Sequence, residues 1–142
     1  MYREEDIIER TPIEESHKKI ASEYIRILKE NDRNSFKSLL SENVIKKINN
    51  QVDNAKKNFE VVSFEEMLEH NFVAEQNKYQ RLNEGLQYFY ADVMRDKESN
   101  IYVLFLDEDT AKVLKPGQLT HVYPIKLVLD SNNEYKVDFA EW

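Results

Sequence analysis

Apolar residues recur at two different periods along this chain, and the change falls near residue 86. Before it they come three and four apart, the spacing of helices that bury one stripe. After it they come in short runs of β-branched and aromatic residues bounded by polar clusters, the signature of strands. The first helix is expected to start at Thr11-Pro-Ile-Glu14, where Thr11 can cap, Pro12 suits the first helical position and Glu14 completes a capping box. It runs to about Glu30 with Ile20, Ala21, Tyr24, Ile25, Ile27 and Leu28 inward. Asn31-Asp32 ends it and can cap a short helix from Arg33 to Leu40. Ser41 opens a third helical stretch, in which Val44, Ile48, Val52, Ala55 and Phe59 share a face. Glu60-Val-Val62 reads as a very short strand. Ser63-Phe-Glu-Glu66 is a second capping box, and its helix extends to roughly Asn83, with Gly85 as the stop.

Four strands are expected to follow: Leu86–Met94, Asn100–Asp107, Thr120–Asp130 and Glu134–Trp142. Short polar links between them predict antiparallel neighbours and a meander. The second is apolar on both faces, which suits a central position. In the last, Tyr135, Val137 and Phe139 alternate with Lys136 and Asp138, so one face is buried and the other wet. In the third, Pro124 cannot donate to a ladder and needs an edge, a bulge or an unpaired position. A sheet of this kind must bury a face, and the helices are its partner. The fold class is therefore α+β, N-terminal helices packed on a C-terminal curved antiparallel meander. Residues 1–10 are expected to be a flexible acidic arm, and 11–142 a single α+β domain.

The stretch from Ala21 to Val44 is an amphipathic helix, a small polar turn at Asp32, a short helix carrying Phe36 and Leu39-Leu40, then an exit. With the meander from Leu86 to Trp142, it resembles the nuclear-transport-factor-like (cystatin-like cone) superfamily, which includes ketosteroid isomerases and polyketide cyclases. The chain departs from that pattern at residues 45–62, which read helical where the family has a strand or hairpin. The resemblance implies a cone with a pocket between sheet and helices. The superfamily holds enzymes, ligand binders and interaction modules, so the likeness alone assigns no activity.

Composition narrows the chemistry. At 142 residues, with no cysteine, the chain can bury roughly 70% of its unfolded surface, and disulfides and thiolate metal sites are excluded. Apolar runs are too short to cross a bilayer, and the charged first residues do not read as a signal peptide. The expected location is cytoplasmic, or exported with a leader removed. The net charge is −7; residues 1–15 carry six acids against two arginines, a net of −4 that leaves −3 for the rest. Such a balance works against nucleic-acid phosphates and favours encounter with basic proteins. Lys46 and Lys57 share one helix face, which reads as solvated surface.

No motif fixes a reaction, and no cofactor or metal is expected. Glu66 and His70 sit one helical turn apart beside Glu69, which gives two ligands where a site needs three or four; a surface ion pair is the plainer meaning. His17 belongs to no cluster. The weak catalytic candidates are Asp92 and His121, either of which facing an apolar pocket could move a proton; Asp138 alternates with buried residues and reads as wet surface. Tyr88, Tyr90, Tyr102, Tyr123 and Trp142 are the candidate ligand- or partner-binding residues, with Asp92, Asp138 and Glu141 nearby. The expected function is a non-catalytic domain binding a protein or a small apolar ligand through its sheet or cone pocket, as a possible homodimer. The alternatives are an acidic immunity or antagonist protein that neutralises a basic toxin or effector, and a small lyase or isomerase with an acid–base pocket.

Overall fold

A computed structural model describes residues 7–11, 14–79, 89–96, 100–106 and 125–139, with side chains at 14–79, 100–103 and 125–139. The chain is α+β, with helices packed on an antiparallel sheet. The described elements, in order, are β1 (Ile7–Thr11), α1 (Glu15–Lys29), α2 (Arg33–Leu39), α3 (Glu42–Lys57), α4 (Phe64–Lys78), β2 (Phe89–Asp96), β3 (Ile101–Leu106), β4 (Ile125–Leu129) and β5 (Tyr135–Asp138). The strands lie side by side in sequence order, each antiparallel to the next. β2 to β5 are thus the expected meander, and β3 is its expected central strand. Ile101, Tyr102 and Val103 alternate between the faces of β3 and are all buried, as a strand covered on both sides requires.

β1 corrects one expectation. Ile7 to Arg10, read as part of a frayed arm, form with Thr11 an edge strand on β2, from Ile7 opposite Asp96 to Thr11 opposite Val93, with a register shift between Ile7 and Glu9. Thr11 therefore does not cap a helix. It precedes Pro12, whose ring disfavours the helical region for the residue before it and leaves an extended backbone. α1 begins four residues later, with Glu14 at its N-cap and no side-chain bond there.

The other helix starts are as expected, because their cap chemistry is local. Asp32 accepts from the Ser35 amide at 3.2 Å, Ser41 from the Val44 amide at 3.2 Å and Ser63 from the Glu66 amide at 3.1 Å. Each satisfies an amide that the first turn leaves without a partner.

The core lies between α1 and the sheet and continues under α2 and α4. Tyr24, Phe36 and Phe72 join the three helices as a ring cluster: Tyr24 stacks on Phe36 at 6.0 Å between centroids, and Phe36 meets Phe72 edge-on at 5.0 Å. Ile101, Val103, Ile125, Leu127 and Val137 supply the sheet's share. His17, buried on α1, packs edge-on against Tyr135 of β5 at 4.6 Å, with Nε2 3.7 Å from the Glu14 carboxylate.

The turn between α2 and α3 is fastened to β5. The Ser41 amide donates to the Val137 carbonyl at 2.8 Å, and its hydroxyl donates to Asp138 Oδ1 at 3.3 Å. Lys126, opposite Asp138 across β4 and β5, approaches Oδ2 to 3.5 Å. Asp138 is therefore a mostly covered fastening between helices and sheet, where the alternation of β5 had suggested wet surface.

Candidate functional site

Two places in the structure depart from what stability alone would choose. One is a buried carboxylate and the other an exposed apolar turn.

Glu75 lies near the end of α4, on the stripe that also carries Phe72 and Tyr79, and is 8% exposed. The Tyr24 hydroxyl donates to its Oε1 at 2.6 Å, and the Lys78 ammonium stands 3.8 Å from its Oε2. Tyr79 meets the Tyr24 ring edge-on at 6.2 Å. Burial pushes the Glu75 carboxyl up from its ordinary pKa, against the pull of Lys78 and the Tyr24 hydrogen bond. Burial also pushes Lys78 down, although Glu75 opposes it. The Tyr24 and Tyr79 phenols are driven well above their usual range, first by burial and then by the Glu75 charge. The shifts share one physical cause, since a charge without water is disfavoured unless its partner is close. The hydrogen bond from Tyr24 to Oε1 and the ion pair of Lys78 with Oε2 make the centre a link from α1 to α4. Sequence reading had Tyr24 as core and passed over Glu75. An acid on an apolar helical stripe was the available signal; its partner lies 51 residues away.

The second place is the turn from α3 to α4. α3 ends in a Schellman motif: the Glu60 amide donates to the Ala55 carbonyl at 2.9 Å and the Phe59 amide to the Lys56 carbonyl at 3.1 Å. That motif puts the residue after the cap in the left-handed region, where glycine is usual. Here it is Phe59, at φ 60°. Its side chain is 97% exposed, and two residues on Val61 is 96% exposed. The described chain leaves no other large apolar side chain so far out; Leu129 comes next at 56%. Both findings correct expectations. Phe59 continues the apolar spacing of α3, but the helix stops at Lys57 and its turn carries the ring off the stripe. Glu60 to Val62, read as a strand, are unpaired connector.

The residues singled out from the sequence are placed as follows. Asp92 belongs to β2, in a register shift between Tyr90 and Val93. Tyr90 pairs with Phe105 across β2 and β3. Tyr102 is buried in β3, 7% exposed, with Met94 and Lys126 as its strand partners. Tyr88, His121, Tyr123, Glu141 and Trp142 lie outside the described residues, as do Leu82, Gly85 and Pro124. Glu66 accepts from the Ser63 hydroxyl at 3.3 Å, Glu69 accepts from Arg33 at 2.6 Å and His70 is exposed. Lys46 and Lys57 are both exposed. Among the described residues no three His, Cys, Asp or Glu are grouped to hold a metal ion, and no helix is long and apolar enough to cross a membrane.

Compared with protein-family models, with curated proteins and with solved structures, the chain matches none of them.

Proposed function

We propose that this chain is a non-catalytic binding domain that engages another protein through the Phe59–Val61 turn. The observation that carries the reading is Phe59 itself. A bulky residue in the left-handed region costs about 1–2 kcal/mol relative to the right-handed one. Such a cost is commonly met where a side chain gains burial in return. Phe59 gains none in the isolated chain, being 97% exposed. Local rules broken without a gain in folding mark functional positions. An aromatic side chain presented at a turn between two capped helix ends is the form of an interface anchor.

A photo-crosslinking phenylalanine analogue at position 59, irradiated in an extract of the source cells, identifies the protein that covers the turn. The same analogue at exposed Asn49 serves as control. With the identified protein purified, Phe59→Asp is expected to weaken the complex about thirty-fold, the loss of one strong anchor. Equal affinity for both forms removes the reading.

A further inference from the structure

We infer that the partner of the Phe59–Val61 turn is a protein of positive net charge that receives the turn in an apolar pocket, an inference that rests on the binding reading above. Three observations select this occupant. The first is size. A fully exposed phenylalanine presents about 200 Å², and with the smaller Val61 it stays well short of the roughly 800 Å² that each side of a stable interface covers. Two such turns meeting tip to tip bury too little, so a second copy of the chain does not suffice. A pocket encloses the turn and adds its own rim to the contact.

The second observation is charge at long range. The chain carries −7, which repels another copy, an anionic lipid surface and nucleic-acid phosphates alike, and attracts a basic protein. The third is charge at the turn. Lys56 and Lys57 stand on the α3 side of Phe59; Glu60, Glu65 and Glu66 stand on the α4 side, and all five are exposed. These nearly cancel, so the immediate rim chooses no sign and the charge of the whole chain decides it. The two features then divide the kinetics. Net charge sets how often the partners meet, and the enclosed ring sets how long they stay.

The test uses the full chain and a displayed library of a small folded scaffold whose concave face is randomised. Selection is by brief exposure to the wild-type chain, followed by removal of clones that also hold Phe59→Asp. The clones that survive are expected to have faces richer in Lys and Arg than in Asp and Glu. Their association rate should fall about tenfold between roughly 20 and 300 mM salt, and Phe59→Asp should raise their dissociation rate about thirty-fold. Surviving clones with neutral or acidic faces overturn the charge of the partner and leave the binding reading standing. A library in which no clone distinguishes Phe59 from Asp overturns both, and Val61→Asp repeats that comparison with the Phe59 backbone untouched. Sedimentation of the wild-type chain, but not Phe59→Asp, with phosphatidylserine vesicles also overturns both, in favour of a membrane.

Discussion

The ends of α1 and α3 have the same backbone and opposite chemistry. Each terminates with a residue in the left-handed region, Asn31 at φ 57° and Phe59 at φ 60°. Each is closed by an amide reaching back five residues, from Asp32 to the Ile27 carbonyl at 3.0 Å and from Glu60 to the Ala55 carbonyl at 2.9 Å. At α1 the position holds asparagine, which tolerates that conformation. Its side-chain oxygen accepts from Gln76 of α4 at 2.6 Å, and the same amide group reaches the Leu28 carbonyl at 2.9 Å. Asp32, next in the chain, caps α2 and meets Arg26 at 3.3 Å. That turn is knitted to its neighbours. Asn133, the third such position among the described residues, also has the residue its φ favours. Of these three, Phe59 alone departs from the rule, at the turn that projects apolar side chains outward. One backbone motif thus serves cohesion at one helix end and presentation at the other.

The contrast can be sharpened by substitution. The largest effect is expected where a phenylalanine is buried. Phe72→Ala removes the ring that meets Phe36 and lies under the Arg33 guanidinium, and should destabilise the fold by about 3–5 kcal/mol in urea unfolding. Phe59→Ala should stay within about 0.5 kcal/mol of wild type, as surface substitutions do. A comparable loss at both positions would mean that Phe59 is packed. Next comes the exchange of chemistry at the turns. Asn31→Phe gives up the Gln76 hydrogen bond and places an unsuited residue in the left-handed region, a loss of about 1–3 kcal/mol by the same assay.

The reverse change at α3 should act with the opposite sign. Phe59→Gly relieves the left-handed backbone and is expected to stabilise by up to about 1 kcal/mol. The smallest effect belongs to Glu75. Its folded pKa is raised, so its contribution is fully present below the ordinary glutamate range and is lost as pH rises through the folded value. Glu75→Gln, which can still accept from Tyr24, should remove that slope. The variant would gain on wild type from acid to neutral pH, read as the difference between two pH-dependent melting series. A constant difference would show that Glu75 titrates as it does unfolded.

What was legible in the sequence follows the range of each interaction. The caps at Asp32, Ser41 and Ser63 act over three residues, and the starts of α2, α3 and α4 were readable from them. The buried stripe of α1 and the central place of β3 were readable because composition alone fixes which faces need cover. β1 was not. Five residues with Glu9 and Arg10 among them show no alternation, and their partners on β2 lie more than eighty residues on. The Glu75 centre was hidden for the same reason, since nothing near position 75 reveals Tyr24. Phe59 was misread by local logic: its spacing continued the stripe, while the stop signal was Asn58, one residue earlier and without glycine.

The binding claim is tested most directly by Phe59→Gly, followed in two assays on the same preparation: the urea midpoint, and affinity for the protein cross-linked through position 59. A turn kept for an interface predicts that the midpoint rises while binding falls about thirty-fold. A variant that binds as tightly as wild type, whatever its midpoint, would contradict the claim that Phe59 is the anchor.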